Sequence, residues 1–234
     1  MGFSKRNSPN CDLCRHRKDC FFWSLNKTAK KQWKDLRTAN TFHDGEILFY
    51  DGEKPNGLYV VCSGMTKNYK TSRNGQQLIT RILGPGELMG YRPMIAEENY
   101  CGSSEAMEES VVSFIEQETF YQFLRTHPDA MMHLLKKLSQ DVRESEDKAQ
   151  DIAHKPAKAR VSDSLIRMMH TNGHNRPVVT GVKRKEIAEM SGLAVETTVR
   201  VLQELESKGL IKREEKTIVI LDQDKIKQLS HLTS

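Results

Sequence analysis

The sequence predicts an α+β chain: a glycine-punctuated β-roll or jelly roll, one long helix, and a C-terminal winged helix-turn-helix. Three stretches carry that prediction. From Thr41 to Phe114, short β-rich runs alternate with glycines, the pattern of a barrel or jelly roll. From Met131 to Ile152, apolar or small residues recur at alternating separations of four and three, which is a heptad seam. From Val182 to Leu221 the chain reads helix, short turn, helix, hairpin.

The 234 residues suffice for two modest domains. The formal charge of +5 is unevenly placed. Residues 1–37 carry ten Lys and Arg against three Asp and Glu, residues 155–234 carry fifteen against ten, and residues 38–154 sum to −7. A basic C-terminal portion suits a polyanion and an acidic middle does not. No long apolar run and no charged-then-apolar leader is present, so neither export nor a membrane span is predicted, and a cytoplasmic location follows. In that compartment the five cysteines read as thiols or ligands rather than disulfides.

Residues 1–26 form an N-terminal arm containing Cys11, Cys14 and Cys20 at C-x2-C-x5-C spacing, followed by aromatics. Three soft thiolates this close can hold an iron–sulfur cluster or a zinc ion, and His16 is a possible fourth zinc ligand. The plain alternative is three reduced thiols on a terminus. Lys27 to Thr38 predicts a short basic helix. In the roll, Ile47–Tyr50, Leu58–Val61 and Leu78–Ile82 are strand candidates, and Arg73-Asn74-Gly75 is a hairpin turn whose Asn-Gly tolerates two positive φ angles.

After Pro128 the pattern turns helical. Met131, Leu135, Leu138, Val142, Ser145, Ala149 and Ile152 form the seam, with charged flanks. Packing on its own domain could account for Met131 to Leu138. The thin face from Ser145 to Ile152 fits a symmetric dimer better. Pro156 ends this helix, because the residue before a proline is driven out of α geometry. Ala157 to Thr171 predicts the next helix, with Val161, Leu165 and Met168 inward.

In the C-terminal stretch, Ile187 and Met190 mark a first helix, and Ser191-Gly192-Leu193 breaks it. Val195, Val199, Leu202 and Leu205 are spaced to bury one face of the second, which ends at Lys208-Gly209. Leu210-Ile211, a charged turn from Lys212 to Lys216, and Thr217–Ile220 make a hairpin. A second helix so placed is shaped for a major groove. Near its start Glu196 and Arg200 sit four apart, with Thr197 and Val199 beside them. Arg can donate bidentately to guanine and Glu can accept from cytosine. The ordinary alternative is an i,i+4 ion pair worth a few tenths of a kcal/mol. Lys183, Arg184, Lys185, Lys212 and Arg213 are candidates for backbone phosphates.

The run from Lys185 to Ile220 resembles the DNA-binding domain of the CRP/FNR transcription regulators. The resemblance implies a cyclic-nucleotide-type β-roll at 27–127, a dimerisation helix at 128–154 and a DNA-binding domain at 155–234. It implies base contacts by Glu196 and Arg200, while Val195 and Val199 stand where the two branches of the family carry an Arg and a Ser. The FNR branch places three cluster cysteines at the spacing of Cys11, Cys14 and Cys20. Its fourth ligand matches Ser113 here, so Cys101 is the expected substitute and Cys62 reads as a small core residue. An iron–sulfur cluster is thus favoured over zinc. Gly86-Glu87 resembles the family's nucleotide-binding turn, yet the stretch around Ser103 and Ser104 lacks the phosphate-binding Arg. With five glutamates close by in sequence, cyclic AMP is a poor candidate.

No Gly-rich phosphate loop, HExxH or GxSxG is present. The expectation is a non-enzymatic, homodimeric regulator that binds an inverted repeat in duplex DNA, with RNA polymerase as a further partner. The competing classes are a ligand-binding roll acting through protein contacts and a zinc or redox thiol protein.

Overall fold

In the computed structural model of this chain, residues 2–5, 8–14, 20–171, 177–215 and 217–232 are described. They fall into two compact units, residues 1–70 with 81–143, and residues 71–80 with 144–234.

The first unit is built on a β-sandwich. Helices α1 (Phe21–Ser24) and α2 (Lys27–Leu36) precede strands β1 (Thr38–Phe42), β2 (Ile47–Phe49), β3 (Gly57–Ser63), β4 (Thr66–Thr71), β5 (Gln77–Leu83) and β6 (Leu88–Met89). Helix α3 (Tyr91–Ala96), strands β7 (Ser103–Ala106) and β8 (Ser110–Glu116), helix α4 (Gln117–Thr126) and helix α5 (Pro128–His154) follow. The sheets run β1-β8-β3-β6 and β2-β7-β4-β5. Alternation along β3 sets two cores, because successive side chains point to opposite faces. Tyr59 and Val61 enter the sandwich with Phe42, Phe49, Leu83, Met89 and Val112. Leu58 and Val60 face a helical layer with Trp33, Tyr91, Phe120, Phe123 and Leu134. Each such side chain, fully buried, contributes roughly 1.5–3 kcal/mol.

Two expectations shift here. The turn at Arg73-Asn74-Gly75 has a positive φ at Gly75 alone, +82°. Gly75 N donates to Ser72 O and Ser72 N to Gln76 O, which makes a three-residue loop with glycine at the left-handed position. The seam shifts too. Leu138 packs partly on the helical layer, and the buried face of α5 is Ala130, Leu134 and Asp141. The sequence did not mark helices α1, α3 and α4, and α1 and α3, of four and six residues, are too short for a periodic signal.

The second unit contains α6 (Ala157–Met168), β9 (His170–Thr171), β10 (Pro177–Thr180), α7 (Arg184–Ser191), α8 (Val195–Ser207), β11 (Ile211–Glu214), β12 (Thr217–Ile220) and α9 (Gln223–Ser230). Its sheet runs β11-β12-β10-β9, antiparallel throughout. Val161, Leu165 and Met168 are buried as expected, though α6 ends at Met168 rather than Thr171. Strands β9 and β10 and helix α9 add to the expected wing; Asp222 caps α9 by accepting from Lys225 N at 2.9 Å. Lys216, expected in the hairpin turn, lies outside the described residues.

Candidate functional site

Helix α8 buries Thr198, Val201, Leu202 and Leu205. Val195 and Val199, expected inward, are exposed and half-buried respectively. The 198-201-202-205 spacing follows 3.6 residues per turn and rotates the buried stripe off Val195 and Val199. The Thr198 hydroxyl escapes a desolvation penalty by donating to Ala194 O at 3.1 Å. Glu196 and Arg200 therefore stand on the outward face, both exposed, with Thr197 half-buried between them. Among the described residues no ion pair joins Glu196 to Arg200.

The flanking cations divide into two groups. Arg184 is exposed at the first position of α7. Lys183 N donates to Glu186 Oε2 at 2.8 Å, which fixes the start of that helix. Lys185 pairs with Glu189 at 3.4 Å and Lys212 with Glu214 at 3.1 Å, both with exposed ammonium groups. Arg213 is held more firmly: its Nε donates to Glu206 Oε2 at 2.7 Å and its own N–H to Glu206 Oε1 at 2.8 Å. That pair ties strand β11 to α8.

Gly86 and Glu87 are engaged by the chain itself. Gly86 has φ +97°, and a Cβ there would lie 2.7 Å from Cys20 Cα. Only glycine lets the arm seat so closely. The Glu87 carboxylate accepts from Gly84 N at 2.8 Å and from Arg81 Nη2 at 3.2 Å. The Ser103 hydroxyl accepts from Asp51 N at 3.0 Å, and buried Ser104 approaches Met89 Sδ at 3.4 Å.

Arg81 also donates to Asp141 Oδ2 at 2.6 Å, where Tyr91 OH donates too, and Lys137 pairs with Oδ1 at 3.1 Å. Asp141 is 1% exposed. Burial alone would raise its pKa; the Tyr91 hydrogen bond and the Arg81 and Lys137 charges outweigh that and hold the carboxyl below the ordinary value. The sequence signal was an acid about two turns along α5 from the buried Leu134.

The thiols differ in burial. Cys11 is buried, and Cys20 packs against the same helical layer. Cys62 is half-buried, with Sγ 3.1 Å from Ser113 Oγ and 3.9 Å from Arg37 Nη1. Burial pushes the Cys11 thiol up to about 11; Arg37 pulls the other way, and Cys20, Cys62 and Cys14 add to the rise. Cys101 is exposed in the loop before Gly102, which abuts Tyr69 O. His16 lies outside the described residues. Among the described residues, no three Cys, His, Asp or Glu side chains converge as a single metal ion would need.

On α5, Met131, Leu135, Val142, Ser145, Ala149 and Ile152 are exposed, with Leu135 at 49% and Val142 at 56%. A stripe of large apolar side chains left open on one chain marks an interaction face. Among the described residues no helix is long and apolar enough to cross a membrane.

Comparison with known proteins gives this arrangement its relatives. Residues 39–127 match the cyclic nucleotide-binding domain family and residues 159–229 the Crp-like helix-turn-helix domain family. The chain is 26% identical to the cyclic AMP receptor protein of Thermus thermophilus over 73% of this chain and 78% of that one. It is 27% identical to the transcriptional activator protein Anr of Pseudomonas protegens over 92% and 90%. Its fold superposes on FixK2 from Bradyrhizobium japonicum with a TM-score of 0.76, at 20% identity, covering 85% of this chain and all of that one. Roll, long helix and winged helix-turn-helix occur here in one chain with the matching domain families in the same order, and the chain belongs to the CRP/FNR family of transcription regulators.

Proposed function

We propose that this regulator works as a homodimer that reads an inverted repeat in duplex DNA through Glu196 and Arg200. The observation that carries the reading is their placement. Both are exposed on the face of α8 opposite Thr198, Val201, Leu202 and Leu205, and among the described residues no ion pair joins them. Arg200 is free to reach guanine O6 and N7, and Glu196 to accept from cytosine N4. Thr197 and Val199 flank them, while Lys183, Arg184, Lys185 and Lys212 supply phosphate contacts; Arg213 serves mainly to hold the wing. The exposed stripe on α5 supports a two-fold seam, since a symmetric interface uses the same patch on both copies. RNA polymerase at a promoter is the further partner, and the cytoplasm the compartment.

The signal enters through the thiols of the arm and not through cyclic AMP. Glu87 is taken by Arg81 and Gly84 N, Gly86 by Cys20, and Ser103 by Asp51 N, so the residues of the nucleotide-binding turn serve the fold.

Selection from random duplexes at fixed salt tests the reading. Enrichment of an inverted repeat with half-sites about one helical turn apart is expected. Enrichment of a single unpaired half-site, or of no sequence, overturns it.

A further inference from the structure

We propose that Lys148, together with Arg160, is a positioning residue for DNA reading: the two cations cap the open carbonyls of α7 and fix the turn from which α8 starts. The proposal rests on the base-reading role given above to α8. An α-helix leaves its last carbonyls without donors of its own. At the end of α7, Gly192 takes the left-handed conformation (φ +61°), and Leu193 N donates back to Ala188 O at 3.0 Å. The carbonyls that follow are met from outside the helix. Lys148 Nζ donates to Met190 O at 3.2 Å, and Arg160 Nη1 donates to Ser191 O and Gly192 O, both at 3.1 Å. Three consecutive carbonyls at the negative end of α7 thus receive two cations, one from α5 and one from α6. Helix α8 begins at Val195, so the turn between is too short to absorb a shift of Gly192.

Lys148 has a second attachment. Its Nζ also donates to Ile79 O at 2.8 Å, and Ile79 is fully buried in β5. One ammonium therefore spans residues 71–80, the C-terminal part of α5 and the end of α7, all within the second unit. Apolar side chains close the same spot: a Cβ at Gly192 would lie 3.5 Å from Leu78 Cδ1 and 3.8 Å from Ile152 Cδ1. An ordinary surface lysine lays its stem on the protein and keeps its amine in water. This one is half-buried, and its amine is directed at two main-chain oxygens from elements far apart in sequence.

Among the described residues no carboxylate forms an ion pair with Lys148. On α6, Asp163 is held by Arg167 at 2.7 Å, and Arg160 faces the neighbouring carbonyls; on α5, Asp151 is held by Lys155 at 2.9 Å. From α7 and residues 71–80 the groups facing the ammonium are the Met190 and Ile79 carbonyls. Burial, helped by the Arg167 charge, pushes the Lys148 pKa down to about 8, while Asp163 and Asp151 pull it back up. Between that value and the ordinary 10.5 the unfolded chain binds the extra proton, so this group makes the fold more stable as pH rises through about 8. The clamp behaves the other way, because the neutral amine left behind donates weaker hydrogen bonds than the ammonium. Stability and site-specific DNA binding therefore move in opposite directions across that window, which a lysine with a structural role alone would not produce.

The test uses the whole protein. Wild type and Lys148→Met are titrated against the duplex recovered by selection and against random duplex between pH 7 and pH 9, with thermal melting at each pH. Wild type is expected to lose affinity for the selected duplex as pH rises, with random duplex little changed. Lys148→Met is expected to bind the selected duplex about tenfold more weakly at pH 7, the scale of a lost hydrogen bond from a charged donor, and to show no such fall with pH. Amide exchange of the wild-type chain without DNA, corrected for its intrinsic pH dependence, is expected to quicken in residues 190–195 relative to α6 over the same range. That measurement reads the clamp even where the variant fails to fold. A variant that binds like wild type, equal losses on the two duplexes, a pH profile shared by both proteins, or flat exchange at 190–195 overturns the proposal. Failure of selection to yield any sequence sinks the base-reading role instead, with the clamp still read by exchange.

Discussion

The guanidinium of Arg81 meets the carboxylate of Asp141 at 2.6 Å, joining strand β5 to helix α5. The same guanidinium reaches Glu87 at 3.2 Å, so one arginine binds the turn after β5 and the long helix together. Removing Asp141 would leave Arg81 and Tyr91 without their shared partner. Asp141→Ala is expected to cost about 3–5 kcal/mol in denaturant unfolding, the penalty for breaking a buried pair from one side. A loss under 1 kcal/mol would show that water replaces the carboxylate easily.

The same carboxyl sets a pH dependence. Its folded pKa lies below the ordinary 3.8, so its contribution is complete above that value and is lost as pH falls through the folded value. Melting temperatures from pH 6 to pH 3 should fall more steeply for wild type than for Asp141→Asn. Parallel curves would assign the acid limb to other carboxylates.

Arg200→Ala is expected to cost about 1–3 kcal/mol on the selected site and far less on random duplex. Arg184→Ala should weaken both alike and lower the slope of log affinity against log salt by about one. Arg213→Ala should change that slope less, because Glu206 already holds the guanidinium. Binding isotherms over a salt series check all three.

Leu135→Lys with Val142→Lys places like charges across the proposed two-fold seam at positions exposed on the single chain. Light scattering should show a monomer with unchanged melting. Leu138→Lys should instead lower the melting temperature, since Leu138 packs on the helical layer of its own unit. An intact dimer in the double variant places the interface elsewhere.

Trp33 holds the arm from below. It is 1% exposed, with ring centroids 5.1 Å from Phe21 and 5.3 Å from Phe123. Trp33→Ala is expected to destabilise the chain by about 3–5 kcal/mol in denaturant unfolding, a transfer loss plus a cavity. A cost near 1 kcal/mol would mean that Phe21 and Phe123 close over the gap.

The winged helix-turn-helix and the long helix were legible because periodicity over many residues survives any detail of packing. Glu196 and Arg200 were legible for the same reason: their offset from Leu202 and Leu205 already turned them outward. What escaped the sequence depends on contacts between distant residues. The seven apolar seam positions did not reveal that Asp141 and Leu134 hold the inner face of α5, because a buried acid looks like a surface charge until Arg81 and Tyr91 are beside it. The bulge at Cys62 escaped too, since nothing local marks a pairing whose partners are Val111 and Val112.

The arm is fastened on both sides of its first two cysteines. Ser4 and Ala39 exchange backbone hydrogen bonds at 2.9 Å, and Cys20 rests on Gly86. A tether tied at both ends has surrendered in advance most of the freedom a loose tail would lose on gathering its side chains around a guest. Loosening the contact at Gly86 would hand that freedom back, so what the arm's two ends hold depends on the roll beneath them.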